Sequence, residues 1–185
     1  MSEVRVKATP ALGLADYVRR TLSPDQLARL RTQLGAEEQR TLDGRLLANE
    51  TVPVELPNRL TELAAREAGV SAFEFGRAAG RIGAELGTRT VYKFIMALLS
   101  PQSVLRLGPT IWSRVYSGGR LEPEVGDDWA RIRLVDFPAH EGGCGRITGW
   151  FEFIGEKAAK DARVSHVTCR VRGDAECRWD FAWTK

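Results

Sequence analysis

The chain has 185 residues, 43% of them hydrophobic and 28% charged, and a net charge of +3. That length suits one domain with a sizeable core, and the composition excludes disorder, collagen and coiled coil. Residues 1–100 hold 14 basic and 12 acidic side chains and residues 101–185 hold 13 and 12, so no segregated basic surface marks a nucleic-acid partner.

Residues 3–8 alternate around Val4 and Val6 and are expected to form a short strand. Leu12 to Leu22 reads as a helix. Ser23-Pro24-Asp25 is a helix start, with Ser as N-cap and Pro at the first helical position, and Gly35 stops the run. Ala36 to Leu47 is a weaker helix. Val52 to Pro57 holds two prolines and is expected to be extended, after which Asn58 caps a helix to Ala68, stopped by Gly69. Ser71 opens the longest helical pattern, reaching Leu99. Ser100-Pro101 repeats the start signal, and a helix or helix pair runs to Tyr116. The period then changes. Trp129 to Phe137 alternates, with Ala130, Ile132 and Leu134 on one face and Arg131 and Arg133 on the other. Gly142-Gly143 reads as a loop, and Ile147, Phe151, Ile154 and Ala158 form one stripe of a helix from Gly145 to Lys160. Val164–Val171 and Glu176–Trp183 read as a hairpin around Gly173-Asp174. The expected class is α+β: a helical N-terminal part packed on an antiparallel sheet, with a C-terminal strand–helix–hairpin unit. The expected organisation is a single domain, with residues 1–57 as a helical extension and 58–185 as the core.

No apolar run reaches the roughly 18 residues of a membrane span, and the start of the chain has no apolar signal core. The expected compartment is the cytoplasm, where cysteines stay reduced. All three cysteines, Cys144, Cys169 and Cys177, lie near the C-terminus. A three-residue turn would set Cys169 opposite Cys177 on one face of the hairpin, and Cys144 opens the preceding helix. Three converging thiolates would make a metal site wanting a fourth ligand. The competing reading makes them small buried core residues.

Ala72, Gly76, Gly80, Gly83 and Gly87 share one helix face, which requires close approach by another element. That element is either a helix of the same chain or a second copy, in which case Gly76, Gly80, Gly83 and Gly87 form a dimer seam. Tyr92, Trp112, Phe151, Ile154, Trp179 and Phe181 either fill the core or line a pocket for a hydrophobic small molecule. The sequence holds no nucleophile elbow, no His-Glu-x-x-His and no dinucleotide fingerprint, so the chain is not expected to be an enzyme.

The segments Cys144-Gly145-Arg146-Ile147-Thr148-Gly149-Trp150 and Cys169-Arg170-Val171-Arg172-Gly173-Asp174-Ala175-Glu176-Cys177 resemble the end of the 4-vinyl reductase domain. The stretch from Phe75-Gly76-Arg77 to Trp112 resembles an uncharacterised family of small proteins found mainly in myxobacteria. The first resemblance implies kinship in fold with haem-nitric-oxide-binding domains and with TRAPP subunits. It also implies a structural zinc on Cys144, Cys169 and Cys177, with Glu124, or else Glu122, as the fourth ligand. His166 is a poor substitute on strand parity, which puts it on the face opposite Cys169. Haem is set aside, because His140 falls in an exposed loop and His166 on a surface strand, whereas haem ligation asks for a histidine on a helix. The expected function is a sensor or scaffold module that binds a hydrophobic small molecule, a protein partner or both, and signals by population shift. The alternatives are an enzyme acting on a tetrapyrrole or aromatic substrate, and a purely structural homodimer.

Overall fold

The computed structural model describes residues 3–47, 49–88 and 100–184. Strand β1 (Arg5–Lys7) leads into α1 (Ala8–Thr21), α2 (Pro24–Gln33) and α3 (Ala36–Leu42), and β2 (Thr51–Pro53) returns to pair antiparallel with β1. Helices α4 (Glu55–Ala68), α5 (Ala72–Thr88), α6 (Pro101–Arg106) and α7 (Gly108–Val115) follow. The hairpin β3 (Arg120–Val125) and β4 (Trp129–Val135), helix α8 (Glu141–Ala158), and the pair β5 (Arg163–Thr168) and β6 (Cys177–Ala182) complete the chain. The last four strands form an antiparallel sheet in the order β3-β4-β6-β5. The fold is α+β.

The helix boundaries follow local chemistry. Ser23 and Gln26 form a reciprocal capping box at the start of α2, with Pro24 behind the cap. Ser100 accepts from the Ser103 amide at the start of α6. Gly69 ends α4 at φ +74°, a left-handed position that glycine adopts without strain. Three expectations change. Helix α4 begins at Glu55, with Pro57 in its first turn, where the missing N–H has no helical partner to lose; Asn58 is therefore buried inside the helix and does not cap it. Strand β3 was not expected, since Pro123 interrupts its pattern; it is tolerated on an edge strand. Gly142-Gly143 is the first turn of α8, not a loop. The continuation of the α5 pattern to Leu99 lies outside the described residues.

Ala130, Ile132 and Leu134 of β4 and Cys177, Trp179 and Phe181 of β6 face inward and bury Ile147 and Phe151 of α8. A second core of Leu14, Val18, Leu30, Leu42, Leu60 and Phe75 joins α1–α5. The two meet where α5 lies on α8. A Cβ added at Gly80 would fall on the Arg146 carbonyl, and one at Gly149 on the Arg77 carbonyl; Gly76 and Gly145 are as closely opposed to Gly142 and Phe73. Arg77–Glu152 (2.8 Å) and the Arg81 Nη1–Glu156 Oε1 contact (2.6 Å) flank the seam. The dimer-seam reading is thereby corrected at Gly76 and Gly80. Gly76 and Gly80 are covered by α8 of the same chain, because only backbone-to-backbone approach fills the groove they leave. A Cβ at Gly83 would meet nothing within 4 Å, and the surroundings of Gly87 lie outside the described residues.

Candidate functional site

The three cysteines converge by three different local routes. Cys144 sits in the first turn of α8, its amide bonded to the His140 carbonyl at 2.8 Å. Cys177 opens β6 opposite Leu134 of β4. Cys169 lies just beyond β5, where the chain leaves the sheet for a 3-10 turn over Arg170–Arg172. Asp174 fixes that turn by accepting from the Cys169 amide at 2.7 Å, and Gly173 supplies the left-handed residue at φ +94°. The sulfurs stand 3.7 Å (Cys144–Cys169), 3.8 Å (Cys144–Cys177) and 4.0 Å (Cys169–Cys177) apart, all three residues buried and reduced. A tetrahedral centre with metal–sulfur bonds of about 2.3 Å separates its sulfurs by about 3.8 Å.

The fourth member is His166. One of its ring nitrogens and the three sulfurs all lie within 4.8 Å of one another. The parity argument that placed it on the other face fails because the β5–β6 register shifts between His166 and Thr168. His166 stays opposite Trp179 and points inward, while the shift and the 3-10 turn bring Cys169 to the same side. The imidazole is stacked between Trp179 (centroids 4.5 Å, 9°) and Phe73 (5.8 Å, 5°). Both its nitrogens are shielded from water and neither makes a hydrogen bond of regular geometry. Such a group is costly unless something binds it.

Glu124 is corrected as the fourth ligand. It lies on edge strand β3 with its side chain 63% exposed and paired to Arg131 at 3.3 Å, on the outer charged face of the sheet. Glu122 pairs with Arg133 at 2.7 Å on the same face.

Without an ion, the cluster divides its protons unequally. A hydrogen bond from Cys144 is the chief cause that draws the Cys177 thiol down to about 4, against the opposing effect of burial, with further help from His166 and the Arg170 amide. The same contact, together with burial, pushes Cys144 up. Cys177 is thus the thiolate and the natural first ligand.

Arg146 was not singled out in the sequence. Its guanidinium is buried, and burial pulls its pKa down. It donates to the Pro57 carbonyl at 3.0 Å, to Asn58 Oδ1 at 2.6 Å and to Thr61 Oγ1, fastening α8 to α4. The signal was available: Asn58 and Thr61 sit three apart among the apolar residues of an amphipathic helix. His140 is no exposed loop residue either. It caps α8, accepting from the Gly142 amide at 3.1 Å, and burial followed by the Arg146 charge holds its pKa below the usual imidazole range.

The expected pocket residues pack on each other. Phe151 meets Trp179 at 5.3 Å and Phe181 at 5.4 Å; Trp112 stacks on Tyr116 at 4.2 Å; Ile154 joins Ala84, Val104 and Phe153. These residues are core, because aromatic rings from both layers interdigitate in the space. Tyr92 lies outside the described residues. A surface groove of about 480 Å³, lined in part by Pro101, Asp127, Lys160 and Trp183, involves none of them. Among the described residues no helix is long and apolar enough to cross a membrane.

No family model and no curated protein matches the chain. Solved structures do. The unliganded Fe(II) H-NOX protein from K. algicida aligns at TM-score 0.74 and 12% identity, covering 97% of each chain. The S. oneidensis H-NOX protein in its Fe(II)NO state aligns at 0.72 and 11%, covering 97% of this chain and 99% of that one. An oxygen-binding H-NOX domain related to soluble guanylate cyclases aligns at 0.67 and 12%, covering 94% and 92%. Two expectations are corrected by this. The resemblance to the 4-vinyl reductase domain and TRAPP subunits gives way to likeness with H-NOX structures. The cofactor expectation is corrected on haem, which neighbours described through haem and its iron bring back, and those neighbours lend the expected zinc no support. At these identities the likeness establishes the fold, and the chain folds as H-NOX domains do.

Proposed function

We propose that the chain is a non-enzymatic sensor module on the H-NOX fold, with residues 1–185 acting as one domain. Its sensing centre is the cluster of Cys144, Cys169, Cys177 and His166, holding one thiophilic divalent ion. The observation that carries this reading is the His166 imidazole, its nitrogens shielded from water and outside any regular hydrogen bond, with one of them within 4.8 Å of three sulfurs. Bound there, the ion supplies a tetrahedral cross-link whose affinity adds to folding stability. The chain's residues do the rest. Cys177 offers the thiolate, the Asp174-fixed turn holds Cys169 in place, and Phe73 and Trp179 fix the imidazole plane. The signal leaves through a protein partner.

A second reading comes from the neighbours, H-NOX proteins that concern haem and an Fe(II)NO state. The two histidines of this chain do not fit that role. His140 is the N-cap of α8, and His166 stands between two aromatic rings beside the sulfurs. Axial ligation of haem would fall to some other residue. Elemental analysis with an absorption spectrum of the purified chain separates the readings. One equivalent of a thiophilic ion without a Soret band supports the cluster reading; stoichiometric iron with a Soret band overturns it in favour of haem.

A further inference from the structure

We infer that α5 and α8 act as one rigid lever that carries the occupancy of the thiol–imidazole cluster across the molecule, an inference that rests on the metal reading above. The cluster touches both helices in their first turns. Cys144 belongs to α8, and Phe73 of α5 lies flat against the His166 ring, 5° from parallel. The helices cannot slide on each other. Gly76, Gly80, Gly145 and Gly149 bring backbone against backbone along the seam, where any relative shift drives carbonyls into Cα atoms. Arg77–Glu152 and Arg81–Glu156 hold the same pair from the solvent side. Displacing the start of either helix therefore moves both.

The sheet is the fixed part against which the lever works. Trp179 donates to Thr148 Oγ1 at 2.8 Å, and Thr148 donates to the Cys144 carbonyl at 2.8 Å, so one chain of bonds runs from β6 to the cluster's own turn of α8. Without an ion, stacking and a weak contact with Cys177 orient the His166 ring. With one, a metal–nitrogen bond locks it, and Phe73 then packs on a fixed surface. Occupancy selects one placement of the α5–α8 pair out of those the empty cluster allows.

The test is hydrogen exchange of the full chain with and without Co²⁺, in denaturant too dilute to unfold it globally, with thiolate-to-cobalt absorption reporting binding separately. With free Co²⁺ at about 100 times Kd, openings that break the site slow by about 100-fold. The lever requires α5 amides to slow by about the same factor as those of α8 and of β5–β6, while α2, which does not touch the cluster, stays unchanged. Cobalt absorption with slowing confined to β5, β6 and the start of α8, and α5 following α2, overturns the lever and leaves the metal reading standing. Absence of the cobalt absorption overturns both. Cys177→Ser, which removes a ligand carried by β6 and by neither helix of the seam, is expected to show neither absorption nor slowing; α5 slowing that persists in it overturns the lever.

Discussion

The His166 imidazole lies 4.5 Å from the Trp179 indole and 9° from parallel to it, with both ring nitrogens shielded from water and neither in a regular hydrogen bond. Stacking accounts for the ring's plane but not for its nitrogens. Three sulfurs within 4.8 Å of one of them supply the missing explanation, a shared ion. Several consequences can be measured.

Replacing Cys177 by serine removes the thiolate at the head of the cluster. At a free-ion concentration about 100-fold above Kd, the bound ion adds about 2.7 kcal/mol, or about 5–10 °C in melting temperature for a chain of this size. A chelator should therefore lower the wild-type melting temperature by that amount and leave Cys177→Ser unmoved. Equal sensitivity of the two proteins would return the cysteines to a packing role.

The glycine seam predicts a loss of stability without a change of mass. Gly80→Ala places a methyl group on the Arg146 carbonyl, which belongs to backbone and cannot swing aside. Overpacking of this kind costs about 1–3 kcal/mol. Urea unfolding should show the cost, and light scattering should give the wild-type mass. A Gly80→Ala protein with unchanged stability and half the wild-type mass would place the seam between two copies.

The fold was largely legible because its signals are local. Ser-Pro helix starts, the stop at Gly69 and the alternation of β4 depend on neighbouring residues, and the structure keeps them. What escaped was decided at a distance. Gly142-Gly143 looks like a loop until Thr61 and α5 are seen pressed against it. The convergence of the three sulfurs followed from hairpin arithmetic, although the hairpin expected was not the one that forms. His166 was misplaced by the same arithmetic, since one register shift inverts every parity after it. Glu124 failed for a related reason. Adjacency to the Trp129 strand in sequence says nothing about which face of the sheet a β3 residue occupies.

His140 makes stability depend on pH. Burial and then the Arg146 charge lower its pKa below the ordinary value of about 6.5. The unfolded chain thus takes up a proton that the folded chain refuses, so the contribution is complete above about pH 6.5 and lost as pH falls toward the folded value. His140→Asn keeps an acceptor for the Gly142 amide but cannot titrate. The decline in urea midpoint between about pH 7 and 5 should be shallower in this variant. Superimposable profiles would exclude His140 as the source.

Cobalt substitution tests the central claim most directly, because its visible spectrum reports both ligand number and ligand type. One equivalent of Co²⁺ bound to the reduced chain should give intense tetrahedral bands with thiolate-to-cobalt charge transfer. His166→Ala should keep the charge transfer with the tetrahedral bands altered, and Cys177→Ser should lose both. Weak octahedral absorption in the wild-type protein, or a spectrum indifferent to His166→Ala, would contradict a four-ligand centre built from Cys144, His166, Cys169 and Cys177.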